Sequence, residues 1–151
     1  MNSSSAIICW GDKILLFHRD NIPTIPAPDC WQTPGGGIEK GETPLEGLIR
    51  ELTEEVSYAP KEIKFLGKLE APDGHVSHIY VSFVGSVEAN LFKHGPGEGQ
   101  EIKFFTVDEM DNLKLTFRLK YLHKSYKGDL KEALKKKDFR AVFMKLKSMT
   151  V

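Results

Sequence analysis

Alternating apolar and polar positions predict strands along much of the first part of the chain. Residues 5–10 and 13–18 are rich in strand-forming residues, and Gly11-Asp12 between them is a typical hairpin turn. Within residues 79–83, apolar and polar side chains alternate as they do in a half-buried strand. The predicted later strands are residues 62–70, 76–88 and 101–107, with a shorter extended segment at residues 31–33.

Residues 44–56 carry the clearest helical pattern. Thr43 suits the N-cap, Pro44 suits the first helical position, and Glu46 completes a T-x-x-E capping box. Five apolar residues recur at helical spacing and are expected to face the core: Leu45, Leu48, Ile49, Leu52 and Val56. Further helical patterns occupy residues 108–113, 117–126, 130–136 and 139–147.

Two segments are expected to be loops. Residues 20–30 contain three prolines, which are incompatible with a helix or a central strand, and Pro34-Gly35-Gly36-Gly37 is a strong loop signal. The order of strands, helix, strands and helices predicts an α+β fold, in which helices cover a mixed sheet and the extra helices lie at the C-terminus.

Length and composition indicate one soluble domain over residues 1–151, with residues 113–151 packed on or beside the rest. No apolar run is long enough to cross a bilayer, and two cysteines make no disulfide framework, so the expected compartment is the cytoplasm. The net charge of zero hides an asymmetry. Residues 1–112 carry a balance of −9 and residues 113–151 a balance of +9.

Three carboxylates share one side of the predicted helix. With about 100° per residue, Glu55 lies about 40° from Glu51 in one direction and Glu54 lies about 60° from it in the other. Like charges at this spacing destabilise an isolated helix. Clustered carboxylate oxygens are, however, the ligands that Mg²⁺ or Mn²⁺ requires, and the preceding glycines let backbone approach a ligand.

Residues 36–58 read Gly36-x5-Glu42-x7-Arg50-Glu51-Leu52-x-Glu54-Glu55-x-Ser57-Tyr58. This pattern resembles the Nudix box. Ser57 is the one departure, because the family has glycine there. That glycine ends the helix, where a positive φ is often needed, so serine is expected to cost about 1 kcal/mol without removing a ligand. The resemblance extends over roughly residues 4–112.

The resemblance implies a Nudix-type α/β/α sandwich and a pyrophosphohydrolase that cleaves a nucleoside diphosphate linked to another moiety. It assigns metal binding to Glu51, Glu54 and Glu55, together with a backbone carbonyl at Gly35 or Gly36. Arg50 would hold a carboxylate in place. Glu42 would support the loop and the helix together, and Gly36 and Leu52 belong to the structural part of the box.

Residues outside the box have implied roles as well. Nudix enzymes often draw one more glutamate from a distant loop, as metal ligand or general base, and Glu98 between two glycines is the better candidate, with Glu101 its rival. Arg19 would contact substrate phosphate, although a surface arginine is the alternative. Trp31 would line the site or stack on a base, unless it packs in the core.

The implied ligand is a small nucleotide: a nucleoside triphosphate, an oxidised nucleotide, a nucleotide sugar or a dinucleoside polyphosphate. The implied cofactor is Mg²⁺ or Mn²⁺. No membrane partner is expected, nucleic acid ranks last among the partners, and the resemblance also allows a homodimer. Three alternatives stay open: a catalytically weak nucleotide-binding module, an enzyme similar to isopentenyl diphosphate isomerase that uses Cys30, and a protein that acts on RNA through its basic C-terminal segment.

Overall fold

A computed structural model describes residues 2–149 and contains one mixed sheet with helices on both faces. The strands are β1 (Asn2–Trp10), β2 (Lys13–His18), β3 (Trp31–Gln32), β4 (Gly35–Gly37), β5 (Lys64–Glu70), β6 (Val76–Phe83) and β7 (Glu101–Thr106). The helices are α1 (Pro44–Val56), α2 (Ser86–Ala89), α3 (Phe117–Ser125), α4 (Lys127–Lys136) and α5 (Arg140–Lys147), with a 3₁₀ turn at Glu109–Asn112.

Strand β1 lies at the centre of the sheet, in the order β3-β2-β1-β6-β5. It runs parallel to β6 along nearly its whole length, so its other edge is shared between β2 near the C-terminal end and β4 near the N-terminal end. The other pairs of strands among the described residues are antiparallel, including β2 with β7 and β5 with β6, and one isolated parallel bridge joins Trp31 and Leu115. The predicted mixed sheet is therefore confirmed.

Successive side chains of β1 point to opposite faces of the sheet, so the strand contributes to a hydrophobic core on each face. Ala6 and Ile8 point to the face that α1 covers, where they join Leu48, Leu52 and Val56. The opposite face carries a second core under α3, α4 and α5, whose members from these strands and helices include Ile7, Cys9, Ile79, Leu119, Leu122, Leu130, Phe139, Val142 and Leu146. The layers are those of the expected α/β/α sandwich with extra C-terminal helices.

Helix α1 has the predicted bounds. The Thr43 hydroxyl accepts a hydrogen bond from the Glu46 amide, and the Glu46 carboxylate accepts one from the Thr43 amide, which completes the capping box. The apolar stripe is narrower than predicted, since Leu45 and Ile49 are 38% and 42% exposed. Ile49 lies at the edge of the stripe, and Leu45 lies in the first turn of the helix.

Several other predicted boundaries are wrong. The glycine run is not a loop, because its backbone pairs with Ser3–Ser5 of β1 to form β4. Strand β6 ends at Phe83 rather than continuing to residue 88, and Ser86–Ala89 forms the short helix α2. Helix α4 begins at Lys127, before Gly128 instead of after it.

Candidate active site

Three carboxylates meet at the edge of the sheet beside β4. Glu51 and Glu55 project from successive turns of α1, and Glu98 comes from the loop before β7. One ligand oxygen from each of the three lies within 4.8 Å of the others. Residues 47 positions apart in the chain are thus brought together, with Glu55 buried, Glu51 half-buried and Glu98 exposed.

The two glycines of β4 make room for this cluster. A Cβ atom on Gly36 would lie 2.6–2.8 Å from the Glu51 carboxylate, which is closer than a side chain tolerates. The Gly35 amide donates a 2.8 Å hydrogen bond to Glu55 Oε1. Gly35 also has φ +149°, and its Cβ would meet the Ser4 carbonyl oxygen at 2.2 Å. Gly35 therefore requires glycine because backbone atoms lie in the way of a Cβ, whereas a Cβ on Gly36 would force the Glu51 carboxylate to move.

Arg50 ties the loop, β4 and the helix together. Its guanidinium donates to both oxygens of Glu42, at 2.8 and 3.0 Å, and to Glu51 Oε1 at 2.9 Å. It also donates to the Gly37 carbonyl oxygen at 2.9 Å. This fixed fork orients the Glu51 carboxylate. The Arg50 contacts hold the pKa of Glu42 below its ordinary value, so Glu42 stays ionised as the partner.

The loop that carries Glu98 is anchored at both ends. The Lys93 and Gly95 amides donate to the carbonyl oxygens of Val56 and Glu55, which cap the end of α1. After Glu98, the Gly99 amide donates to Asp20 Oδ2 at 3.1 Å. Backbone approach is tight at the first anchor, where a Cβ on Gly95 would lie 1.8 Å from the Glu54 carbonyl oxygen. Glu98 is therefore placed by backbone contacts on either side of it.

Burial raises the pKa values of two carboxyl groups in the cluster. Desolvation raises the pKa of Glu55 to about 8, and the neighbouring Glu51 and Glu98 raise it further, while the Gly35 hydrogen bond opposes the change. Desolvation also raises the pKa of Glu51 despite the Arg50 contact. Carboxylates crowded in this way suit a divalent cation, which would stabilise all three ionised forms at once.

Other predicted site residues are placed less centrally. Glu54 lies outside the cluster, with a side chain that is 56% exposed and 3.6 Å from Arg50. Its wheel position, on the far side of Glu51 from Glu55, explains the separation. The rival loop residue Glu101 lies 3.8 Å from His18 and not in the cluster. Arg19 lines the cleft above the carboxylates and donates to Gln32 Oε1 at 3.1 Å.

Trp31 is not brought to the cleft. It is buried in the core, where its ring stacks on His18 at 4.3 Å and meets Phe105 edge-on at 4.9 Å. Trp31 therefore packs in the core, which was the alternative to a role in the site, and neither face of its ring is open to a base. Cys30, the residue that an isomerase-like reading would use, is also buried and does not line the cleft.

A family model described as NUDIX domain matches residues 2–126. The chain belongs to the Nudix family. The resemblance drawn from residues 36–58 is confirmed, and the enzyme class follows: a Nudix pyrophosphohydrolase acting on phosphorus-containing anhydrides.

Two curated relatives and one solved structure illustrate the likeness. An ADP-ribose pyrophosphatase from Methanocaldococcus jannaschii is 36% identical over 124 residues, which cover 80% of this chain and 69% of that protein. An RNA pyrophosphohydrolase from Halorhodospira halophila is 56% identical over 39 residues, only 26% of this chain and 22% of that protein. The NUDIX domain of Shewanella oneidensis NrtR, complexed with ADP ribose, superposes with a TM-score of 0.66 at 19% identity over 86% of this chain and 88% of that one, which shows a common fold.

Sequence reasoning missed residues that support this Nudix site from outside the box. Asp20 fixes the Glu98 loop, and Gln32 orients Arg19. Neither stands in a motif. Their only signal is their position in the chain, because Asp20 follows the end of β2 and Gln32, in β3, comes just before β4.

The basic C-terminal segment of the Nudix chain is partly neutralised by contacts with its acidic part. Lys127 pairs with Asp108 and Asp111 at 3.0 and 2.8 Å, and Lys131 pairs with Asp108 at 2.8 Å. Among residues 2–149, no helix is long and apolar enough to span a membrane.

Proposed function

We propose that this chain hydrolyses the diphosphate link of a nucleoside diphosphate sugar, the substrate class that includes ADP-ribose, with Mg²⁺ or Mn²⁺ as cofactor; the base is left open by this proposal. The observation that carries the proposal is the cluster of Glu51, Glu55 and Glu98 beside the glycines of β4. The name of the Methanocaldococcus jannaschii relative supports the choice of substrate. In the overall reaction, water adds to one phosphorus, the bridging P–O bond breaks, and a nucleoside monophosphate and a sugar phosphate leave.

The three clustered carboxylates would hold the divalent cation. Bound there, it would neutralise the diphosphate and lower the pKa of the attacking water. Glu51 keeps its orientation through Arg50, and Glu55 keeps its orientation through the Gly35 amide. Arg19, which lines the same cleft, is the cationic side chain available to a phosphate oxygen.

Glu98 is the residue that we assign to accept the proton from the attacking water. Arg50 and Gly35 occupy oxygens of the other two carboxylates, whereas the Glu98 carboxylate has no hydrogen-bond partner among residues 2–149. It is also the most exposed of the three, so it can exchange the proton with solvent after each turnover.

The test is a substrate panel with purified protein and Mg²⁺, scored by the phosphorylated products. The panel contains ADP-ribose, other nucleoside diphosphate sugars, nucleoside triphosphates and an RNA with a 5′-triphosphate. We expect the nucleoside diphosphate sugars to be cleaved fastest, and EDTA to abolish the reaction. Cleavage of the RNA alone would contradict the proposal and favour an RNA pyrophosphohydrolase, the activity in the name of the Halorhodospira halophila relative.

Matched variants connect the activity to the cluster. Glu55→Gln and Glu98→Gln should each lower kcat by about a hundredfold or more, since each removes a charge that faces the cation. The control is Glu132→Gln on α4, an exposed residue paired only with Lys136, which should keep wild-type activity. Glu54→Gln decides whether the fourth carboxylate takes part. Full activity of Glu55→Gln, or no cleavage of any substrate, would refute the proposal.

Two further expectations concern partners. A homodimer, which the Nudix resemblance allows, would be detected by light scattering at working concentrations. A nucleotide-binding module without turnover would show Mg²⁺-dependent binding of ADP-ribose by calorimetry and no products in the panel.

A further inference from the structure

A second cavity, of about 310 Å³, lies on the face of the sheet opposite α1. Its base is the N-terminal half of β1 with the neighbouring strands β4 and β6, and its roof comes from α3 and α5. It shares Arg19, Gln32, Gly35 and Gly36 with the cleft above the carboxylates. A substrate whose diphosphate lies on the cluster can therefore place its other end in this cavity.

The cavity has an apolar interior and polar ends. Its apolar wall is formed by side chains from both layers: Ile7, Ile14, Leu69, Ile79, Leu119, Leu122, Leu130, Phe139 and Leu146. Arg19 lies at the end shared with the cleft, and Arg118 lies beyond β1, beside Ser77 of β6. No Asp or Glu is among the residues that line it. The interior suits a flat, weakly polar group, and the ends suit hydrogen-bond acceptors.

The two arginines of the cavity differ from the other two in the chain. Arg50 and Arg140 are paired with carboxylates, whereas Arg19 and Arg118 have no carboxylate partner among residues 2–149. A half-buried guanidinium without an anionic partner keeps most of its five N–H donors free. Such a group binds ligand oxygens strongly, and most strongly through two parallel hydrogen bonds.

Ser77 holds Arg118 in place. Its hydroxyl oxygen accepts from Arg118 Nη1 at 2.9 Å, and Ser3 on the neighbouring strand contacts it at 3.4 Å. Ser3 pairs in register with both Gly37 and Ser77, so two strand spacings, about 10 Å, separate β4 from Ser77. A ligand must therefore extend about this far from the diphosphate to reach Arg118, as a base does when it is joined through a ribose.

We propose that Arg118 is a specificity-determining residue that reads the acceptor edge of a 6-keto purine. A guanidinium fork matches the O6 and N7 acceptors of guanine or hypoxanthine, whereas adenine presents an N6 amino donor at the same place. The inference rests on the proposed function for the position of the diphosphate. It deepens that function by predicting that the preferred nucleoside diphosphate sugar carries guanine or hypoxanthine rather than adenine.

A second phosphate on the ligand offers the same oxygen acceptors as a keto base. The apolar wall beside Arg118 favours a base over a phosphate, because a charged phosphate loses hydration against apolar side chains and gains no hydrogen bonds from them. Among the described residues, Arg118 is the one Lys or Arg that lines this end of the cavity, and a single guanidinium offsets one of the two charges of a phosphate dianion.

The test measures binding of nucleoside monophosphates, which have no anhydride bond to cleave, to the full chain in Mg²⁺ by calorimetry. We expect GMP and IMP to bind about tenfold more tightly than AMP, the discrimination typical of one bidentate contact. Arg118→Lys keeps the charge but lacks the fork, so it should lose this preference while AMP affinity stays within about twofold. Ser77→Ala should weaken the preference in part, and the exposed control Arg140→Ala should leave it intact.

The other outcomes are decisive as well. Equal binding of GMP and AMP, or an Arg118→Lys variant with the wild-type preference, would overturn the proposal. Adenosine 3′,5′-bisphosphate that binds more tightly than GMP, in an Arg118-dependent way, would assign the site to a phosphate and overturn it too. An Arg118-dependent GMP preference in a protein that cleaves no anhydride would instead refute the proposed function and leave this inference standing.

Discussion

Ser57 holds a strained backbone conformation at the end of α1, and replacing it with glycine should stabilise the protein. Its φ of 61° and ψ of 10° are left-handed, and the helix ends there. An L-residue in this region costs about 1–2 kcal/mol relative to its preferred regions. Glycine removes the strain but adds about 0.4–1 kcal/mol of chain entropy to the unfolded state. The net stabilisation expected for Ser57→Gly is therefore about 0–1.6 kcal/mol, with a central value of about 0.8 kcal/mol.

Urea unfolding followed by circular dichroism measures this directly. The midpoint should rise while the slope stays constant, and Tm should rise by about 1–4 °C for a chain of this size. Ser57→Ala is the matched control, because it removes the hydroxyl and keeps the strained Cβ, so it should give no gain. Lys137, at φ 54° after α4, provides an independent second position where glycine should act in the same way.

Hydrolysis should be unaffected by Ser57→Gly, since no ligand atom of the cluster changes. The reasoning would be refuted if glycine and alanine at position 57 gave equal midpoints. The left-handed geometry would then carry no cost in this protein, and the departure from the Nudix pattern at Ser57 would have no energetic consequence.

Three further predictions concern the site. Gly36→Ala should lower kcat by about a hundredfold, because the added Cβ displaces the Glu51 carboxylate, whereas Gly37→Ala meets no atom within 4 Å and should have a much smaller effect in the same steady-state assay. Arg50→Lys should lower activity or Mg²⁺ affinity by about tenfold, measured by metal titration, since one ammonium cannot serve Glu42, Glu51 and the Gly37 carbonyl together. In EDTA, thermal stability should fall as the pH rises from 4.5 toward 8, because the folded protein binds the Glu55 proton more tightly than the unfolded chain does. Mg²⁺ should restore more stability at pH 8 than at pH 5, and a Glu55→Gln variant with the same pH dependence as wild type would contradict this.

An element could be predicted from the sequence when the residues that determine it are neighbours in the chain. Helix α1 was predicted to the residue because Thr43, Pro44 and Glu46 define its start within one turn. Strand β4 was missed because a run of glycines has no side-chain pattern, and its strand character comes from pairing with residues 3–5 of β1. The helical wheel placed Glu51, Glu54 and Glu55 on one face, but the structure brings only Glu51 and Glu55 into the cluster, because Glu54 lies on the far side of Glu51.

Site residues that lie far from the Nudix box in the chain could be predicted only through the family resemblance. Glu98 was placed through the family resemblance and its flanking glycines, since nothing in the local sequence indicates where its loop lies. Asp20, Gln32 and Arg118 stand in no motif, because their surroundings are assembled by the sheet. Arg118 lies in the basic C-terminal segment, whose charge alone does not distinguish it from the other basic residues there.

The carboxylate cluster explains part of the charge asymmetry of the sequence. Part of the excess acidity of residues 1–112 is concentrated where Glu51, Glu55 and Glu98 repel one another, and burial makes that repulsion costly. The Gly35 amide and the Arg50 guanidinium only partly offset the cost. A metal-free Glu55→Gln protein should therefore be more stable than wild type at pH 8 and bind Mg²⁺ more weakly. Opposite changes of stability and metal affinity in one variant would indicate that this carboxylate is retained for the cation and not for the fold.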